Sequence, residues 1–226
     1  MNIFNTPYVD YNWNIPETCA HRYIVPIIIK IIRELKLSPD AKILDTGCGG
    51  GSLINHIYNM GFKNVYGFDI SISGINLAKK NFPVLENNFF VHNVYEPNLP
   101  MNIPQKYDLI ISMEVIEHLY SPKTYLKNIG LWLKDDGYLI LTTPFHGYLK
   151  NILISLLNKF DSHFNPLWEG GHIKFFSKNT ICDLLKKTGI KPIKFLGAGR
   201  IPFLWKSMIL VGKKYKTLNE NFKRKN

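Results

Sequence analysis

The chain has 226 residues, 46% of them hydrophobic, with three cysteines and a formal net charge of +11. That length and apolar content predict one globular domain with a sizeable core and a modest elaboration. Cys19, Cys48 and Cys182 are too few and too widely spaced for a disulfide framework or a zinc pattern, so a reducing, cytoplasmic location is expected.

The polar start MNIFNTPYVDYN lacks the basic-then-apolar layout of a secretory leader. The apolar run Tyr23 to Ile32 is shorter than the ~20 residues of a bilayer span, and Pro26 and Lys30 interrupt it. Charge is placed unevenly: residues 191–226 hold ten Lys or Arg against the one acid Glu220, so +9 of the formal charge lies there. A basic tail over 213–226 can attract an anionic membrane or nucleic acid, or simply keep the chain solvated. The basic residues cluster at the end and do not interleave with aromatics, which argues against nucleic acid as the partner.

Residues 1–20, rich in Asn, Tyr and Pro, read as a loose arm. Ile24, Ile27, Ile28, Ile31 and Ile32 then predict a buried helix from about Thr18 to Leu35, which Ser38-Pro39 ends. Lys42 to Leu44 is a short strand. It runs into the glycine-rich Asp45-Thr46-Gly47-Cys48-Gly49-Gly50-Gly51, and Ser52 to Tyr58 opens a helix. Strand, glycine turn and helix N-terminus together make a nucleotide-type loop, because glycine permits close backbone approach and the helix N–H groups face the bound molecule. The dinucleotide fingerprint G-x-G-x-x-G/A fits imperfectly, since Ser52 takes its third position.

Val65 to Asp69 predicts a second strand, and its terminal Asp69 stands at the spacing from Gly49 expected of an acid that accepts from ribose hydroxyls. Ile70 would offer an apolar face to a purine. A helix over Ile75 to Phe82 and a strand over Asn88 to Val91 follow, then Asn93 and Val94. Tyr107 to Met113 is an apolar fourth strand, leading into Glu114-Val115-Ile116-Glu117-His118. Helix Pro122 to Leu133, the turn Asp135-Asp136-Gly137 and strand Tyr138 to Thr143 complete a βαβ alternation. That pattern predicts an α/β fold with a doubly wound, Rossmann-like seven-stranded sheet, its ligands at the carboxyl ends of the strands. Residues 144–176 form an apolar insertion on the substrate side, with a helix over Tyr148 to Leu157. Ser177 caps the next helix, and strands near Pro192 to Leu196 and Ser207 to Val211 close the sheet.

Glu114, Glu117 and His118 fall at i, i+3 and i+4, so on a helical turn they would share one face. With His172 they could form an oxygen-rich site for Mg²⁺ or Mn²⁺. Equally, the glutamates could complement a helix dipole while His118 or His172 acts as a general base.

The D-x-G-x-G-x-G of Asp45 to Gly51 resembles motif I of the class I S-adenosylmethionine-dependent methyltransferases. Met113-Glu114-Val115-Ile116-Glu117-His118 and Gly170-Gly171-His172 look like the ubiquinone-biosynthesis O-methyltransferases, a likeness running from about His21-Arg22 through Thr188. The E-x-x-E-H element also resembles the metal site of the small-RNA 3′-terminal 2′-O-methyltransferases. These resemblances imply S-adenosylmethionine beside Arg22, Asp45, Gly47, Cys48, Gly49, Gly51, Asp69, Ile70, Asn93, Val94 and Met113. They imply metal ligands at Glu114, Glu117, His118 and His172, with Glu117, His118 and His172 also catalytic. The expected activity is methyl transfer to a hydroxyl of a small catechol-like or amphipathic ring. An RNA-end enzyme, an N-, S- or Se-methyltransferase of a soluble metabolite, and a non-catalytic S-adenosylmethionine-binding accessory protein remain as alternatives.

Overall fold

The computed structural model describes residues 14–215; residues 1–13 of the expected arm and 216–226 of the expected tail lie outside them. Seven strands form one sheet: β1 (Ile43–Thr46), β2 (Val65–Asp69), β3 (Phe89–Val91), β4 (Tyr107–Met113), β5 (Leu133–Pro144), β6 (Ile190–Ala198) and β7 (Ser207–Lys214). Their order is β3-β2-β1-β4-β5-β7-β6. The first five are parallel, and β7 inserts antiparallel between β5 and β6. This is the doubly wound, Rossmann-like seven-stranded sheet that the βαβ alternation predicts.

The described residues also hold seven α-helices: α1 (His21–Leu35), α2 (Ser52–Asn59), α3 (Ile72–Asn81), α4 (Pro122–Trp132), α5 (Tyr148–Leu156), α6 (Phe160–Phe164) and α7 (Lys178–Lys187). Successive side chains of a strand point to opposite faces, so a strand covered on both sides must be apolar throughout. Ile43, Leu109, Ile111, Ile140 and Ile209 pack beneath α1, α2 and α3. Leu44, Ile110, Leu139, Leu141 and Leu210 face α4 and α7 on the other side.

Several boundaries move for local reasons. α1 starts at His21 and not near Thr18, because the Thr18 N–H donates to His21 Nδ1 at 3.0 Å and holds a turn there. The helix passes through Pro26 without ending. α3 starts earlier than the apolar spacing indicates, since Ser71 Oγ accepts from the Gly74 N–H at 3.0 Å as an N-cap. Ser177 caps α7 as expected, with Thr180 completing a reciprocal capping box. The expected basic tail begins too early: Lys213 and Lys214 belong to β7 and pair with Asp136 at 3.1 Å and Asp135 at 3.2 Å.

Glu114 departs most from expectation. Its φ of 54° is left-handed, and only Ile116–His118 form a short 3₁₀ turn, so Glu114, Glu117 and His118 do not share a helical face.

A buried hydroxyl cluster ties the central strands to α4. The Tyr125 hydroxyl donates to Ser112 Oγ at 2.8 Å and lies 2.5 Å from Thr46 Oγ1, and Thr46 also reaches Ile111 O at 3.1 Å. Tyr125→Phe removes the shared group and should destabilise the fold by about 1–2 kcal/mol. Urea titration should show a lower midpoint with an unchanged slope.

Candidate active site

The loop after β1 turns through three left-handed glycines, Gly47, Gly49 and Gly51, at φ of 79°, 49° and 79°. At Gly47 a second constraint applies. A Cβ there would lie 2.4 Å from Val115 Cγ2, so the glycine loop and the Glu114–His118 segment are in direct contact. Asp69, at the end of β2, accepts from the Gly49 N–H through Oδ2 at 2.9 Å and from the Ser71 N–H through Oδ1 at 2.8 Å. The carboxylate thereby fixes the loop that it faces.

Asp45 is buried, and its Oδ1 has no hydrogen-bond partner among the described residues. Burial first, and the Asp69 charge second, push its carboxyl up to about 8. An orphaned acid at the mouth of a glycine loop suits the ammonium end of an amino-acid-bearing cofactor, and Asp69 suits the ribose. S-Adenosylmethionine carries both groups.

The other expected cofactor residues are placed unequally. Ile70 is exposed just beyond Asp69, and Met113 is half-buried at the end of β4. Val94 is half-buried against the α4-side core. Asn93 Oδ1 is already engaged by the Tyr95 N–H at 3.0 Å, closing a local turn. The Cys48 side chain is in the core, where burial pushes its thiol up, so only its backbone can serve a ligand. Arg22 is exposed on the first turn of α1, while its neighbour His21 is buried.

Beyond β4, ligand atoms of Glu117, His118 and His172 lie within 4.8 Å of one another. The His118 and His172 ring centroids are 4.8 Å apart, and His172 Nε2 is 4.0 Å from Glu117 Oε1. His118 Nδ1 lies 2.9 Å from Gly170 O and 3.2 Å from Gly171 O. Two carbonyl partners require Nδ1 to carry the proton, which leaves the lone pair on Nε2. The Glu117 carbonyl in turn accepts from the Ile173 and Lys174 N–H groups, both at 2.9 Å, and pins the His172 loop to this turn.

Glu117 is fully buried. Thr143 Oγ1 donates to its Oε2 at 3.0 Å, and Oε1 has no partner among the described residues. Burial and the nearby Glu114 carboxyl push Glu117 well above the usual carboxylate range. Burial, then His118, lowers His172 to about 4, and burial lowers His118, so both imidazoles are neutral at pH 7. A carboxylate oxygen without a partner beside two neutral imidazoles fits a divalent cation as a donor set.

Glu114 is not brought into this group. Its carboxylate accepts from Thr142 Oγ1 at 2.7 Å and Ser207 Oγ at 3.0 Å, and burial raises it to about 7. The expected four-ligand, oxygen-rich set therefore reduces to one carboxylate and two imidazoles. Thr142, Thr143 and Ser207, which hold the two acids, escape a reading of the sequence. The threonines could have been found as polar residues at the carboxyl end of β5, whereas nothing local marks Ser207. Glu17 is also missed: Ser52 Oγ donates to it at 2.6 Å at the start of α2.

The family profile described as a methyltransferase domain matches residues 20–194. Among curated proteins, the mitochondrial ubiquinone biosynthesis O-methyltransferase of Schizosaccharomyces pombe is 29% identical over 162 residues, 70% of this chain and 58% of that protein. The chain thus spans less than two thirds of that relative. The ubiquinone biosynthesis O-methyltransferase of Pelagibacter ubique is 28% identical over 181 residues, 78% of this chain and 73% of that one. Among solved structures, magnesium protoporphyrin IX methyltransferase from Synechocystis with bound S-adenosylhomocysteine superposes with a TM-score of 0.65 at 18% identity. That superposition covers 94% of this chain and 91% of the other, and at this identity it speaks to fold alone. A glycine loop preceded by an orphaned acid, the Asp69 clamp and the matched profile lead to one assignment: the chain belongs to the methyltransferase-domain family and is an S-adenosylmethionine-dependent methyltransferase.

Proposed function

We propose that the enzyme methylates a hydroxyl of a catechol-like or amphipathic ring, with a divalent cation held by Glu117, His118 and His172. The observation that carries this reading is the gathering of those three side chains within 4.8 Å of one another, two of them on the turn whose Val115 packs against Gly47 of the glycine loop. The name of the curated relatives supports oxygen as the acceptor atom.

S-Adenosylmethionine, when bound, supplies a methyl group already activated on a sulfonium. Asp45, the Gly47–Gly51 backbone and Asp69 would hold its two polar ends, so the protein's task is alignment. A divalent cation, when bound, lowers the pKa of a coordinated hydroxyl. Glu117 Oε1, His118 Nε2 and a nitrogen of His172 would hold it, and two imidazoles with one carboxylate suit Mn²⁺ better than Mg²⁺. Where no cation is bound, His172, kept neutral by burial, has the lone pair that would take the proton leaving the acceptor hydroxyl.

The substrate-side insertion supports an amphipathic acceptor. Tyr148, Leu156 and Leu167 are 83%, 76% and 91% exposed, and Leu157, Phe160 and Trp168 are exposed beside them. No helix among the described residues is long and apolar enough to cross a membrane. The exposed apolar run and the four Lys or Arg among residues 216–226 favour peripheral contact with an anionic membrane. Three free cysteines suit a cytoplasmic setting.

Asp69→Ala removes the acceptor of two backbone N–H groups along with the ribose partner, and calorimetry should show S-adenosylmethionine binding weakened roughly tenfold or more. With labelled S-adenosylmethionine and catechol, EDTA and Glu117→Ala should each abolish transfer, and added Mn²⁺ should restore only the EDTA-treated wild type. Activity indifferent to both treatments excludes the metal. Burial holds the Glu117 carboxyl toward its protonated form, so a cation that binds it displaces protons. Calorimetric Mn²⁺ titrations in buffers of different ionisation enthalpy should therefore report proton release, which Glu117→Ala removes.

A further inference from the structure

The glycine loop between β1 and α2 is fastened to β2 on its strand side. The Gly47 and Cys48 N–H groups donate to Phe68 O at 2.8 and 2.9 Å, and the Gly49 N–H donates to Asp69. Its helix side is met by a different part of the chain, the irregular segment 14–20 that precedes α1. Gly50 marks the contact. Unlike Gly47, Gly49 and Gly51 it has no left-handed φ, yet a Cβ there would lie 2.6 Å from Pro16 Cα and 3.3 Å from Pro16 O. Glycine is required at this position by the closeness of another backbone and not by the turn.

Two anchors hold the segment. Glu17 Oε1 accepts from Ser52 Oγ at 2.6 Å and lies 3.3 Å from His56 Nε2, so one carboxylate oxygen meets two successive turns of α2. Those hydrogen bonds, Ser52 first, hold the Glu17 carboxyl below its usual value, in keeping with an anion at the start of a helix. The Glu17 and His56 side chains are 49% and 44% exposed, so their ion pair contributes little in water and the Ser52 bond is the stronger tie. At the other end, the Thr18 N–H and Oγ1 both donate to Nδ1 of the buried His21, each at 3.0 Å, which fixes how the segment enters α1. Apart from the half-buried Pro16 and Ala20 the segment is exposed. A strap held at so few points can lift without loss of the fold.

A loop with three left-handed glycines has much backbone freedom to lose when it grips a ligand, and clamps on both of its sides remove that cost before the ligand arrives. We propose that Glu17 is a positioning residue for the methyl donor: through Ser52 it latches segment 14–20 onto Gly50, and the latched strap holds the glycine loop in its gripping turn and slows release of the donor. The proposal concerns the donor alone and is independent of the acceptor and of any metal.

The test measures binding of S-adenosylhomocysteine by calorimetry and its release by dilution of the labelled ligand. Glu17→Ala should weaken binding roughly fivefold through faster release, with the melting temperature of the unliganded protein changed by no more than about 2 °C. Ser52→Ala should do the same, and the double variant should be no weaker than either, because both remove one bond. Glu17→Gln, which keeps an acceptor oxygen, should retain most of the affinity. Gly50→Ala, whose methyl meets Pro16 in a backbone that accepts alanine, should match Glu17→Ala and add nothing to it. Affinity indifferent to Glu17→Ala, losses that multiply in the double variant, or a loss that only follows a lowered melting temperature overturns the proposal.

Discussion

The contact between Gly47 and Val115 is the constraint on which the site depends. β1 and β4 are neighbours at the centre of the sheet, and the chain turns away from them in opposite directions, through β2 and β3 on one side and β5 on the other. A crevice opens where the strand order reverses. Two loops leave the carboxyl ends of these strands so close together that one must lack a side chain where the other has a valine. A methyl-donor loop and an acid–histidine turn that are distant in sequence thereby become one surface.

Burial sets the electrostatics of that surface. Asp45, Glu114 and Glu117 are raised, and His172 and Lys150 are lowered, each with desolvation as the first cause. Acids and bases are both driven toward their uncharged forms, as in a low-dielectric pocket whose charges come with its ligands. The hydroxyls of Thr142, Thr143 and Ser207 orient the glutamates without neutralising them. Glu117 Oε1 therefore faces His172 Nε2 at 4.0 Å and has no hydrogen-bond partner among the described residues.

The sheet was legible because parallel strands covered on both faces read as apolar runs, and the glycine loop because its turns require the residue type. Helix starts were harder. Ser71 and Thr18 act through side-chain hydrogen bonds that apolar periodicity does not register. The spacing of Glu114, Glu117 and His118 was misleading for a physical reason: i, i+3 and i+4 describe a helix, and the left-handed backbone at Glu114 ends that geometry.

The strand order has a consequence for biosynthesis. β1 to β4 and the donor loop leave the ribosome well before β7, which must insert between β5 and β6 as the last strand of the sheet. Until then β5 has an open edge, and Glu114 lacks the Ser207 hydroxyl that holds one of its oxygens. A nascent chain can complete the half that grips the methyl donor while its acid–histidine turn is still unsupported. The support of Glu114 is thus completed only once β7 has been made, by a residue with no part in the reaction itself.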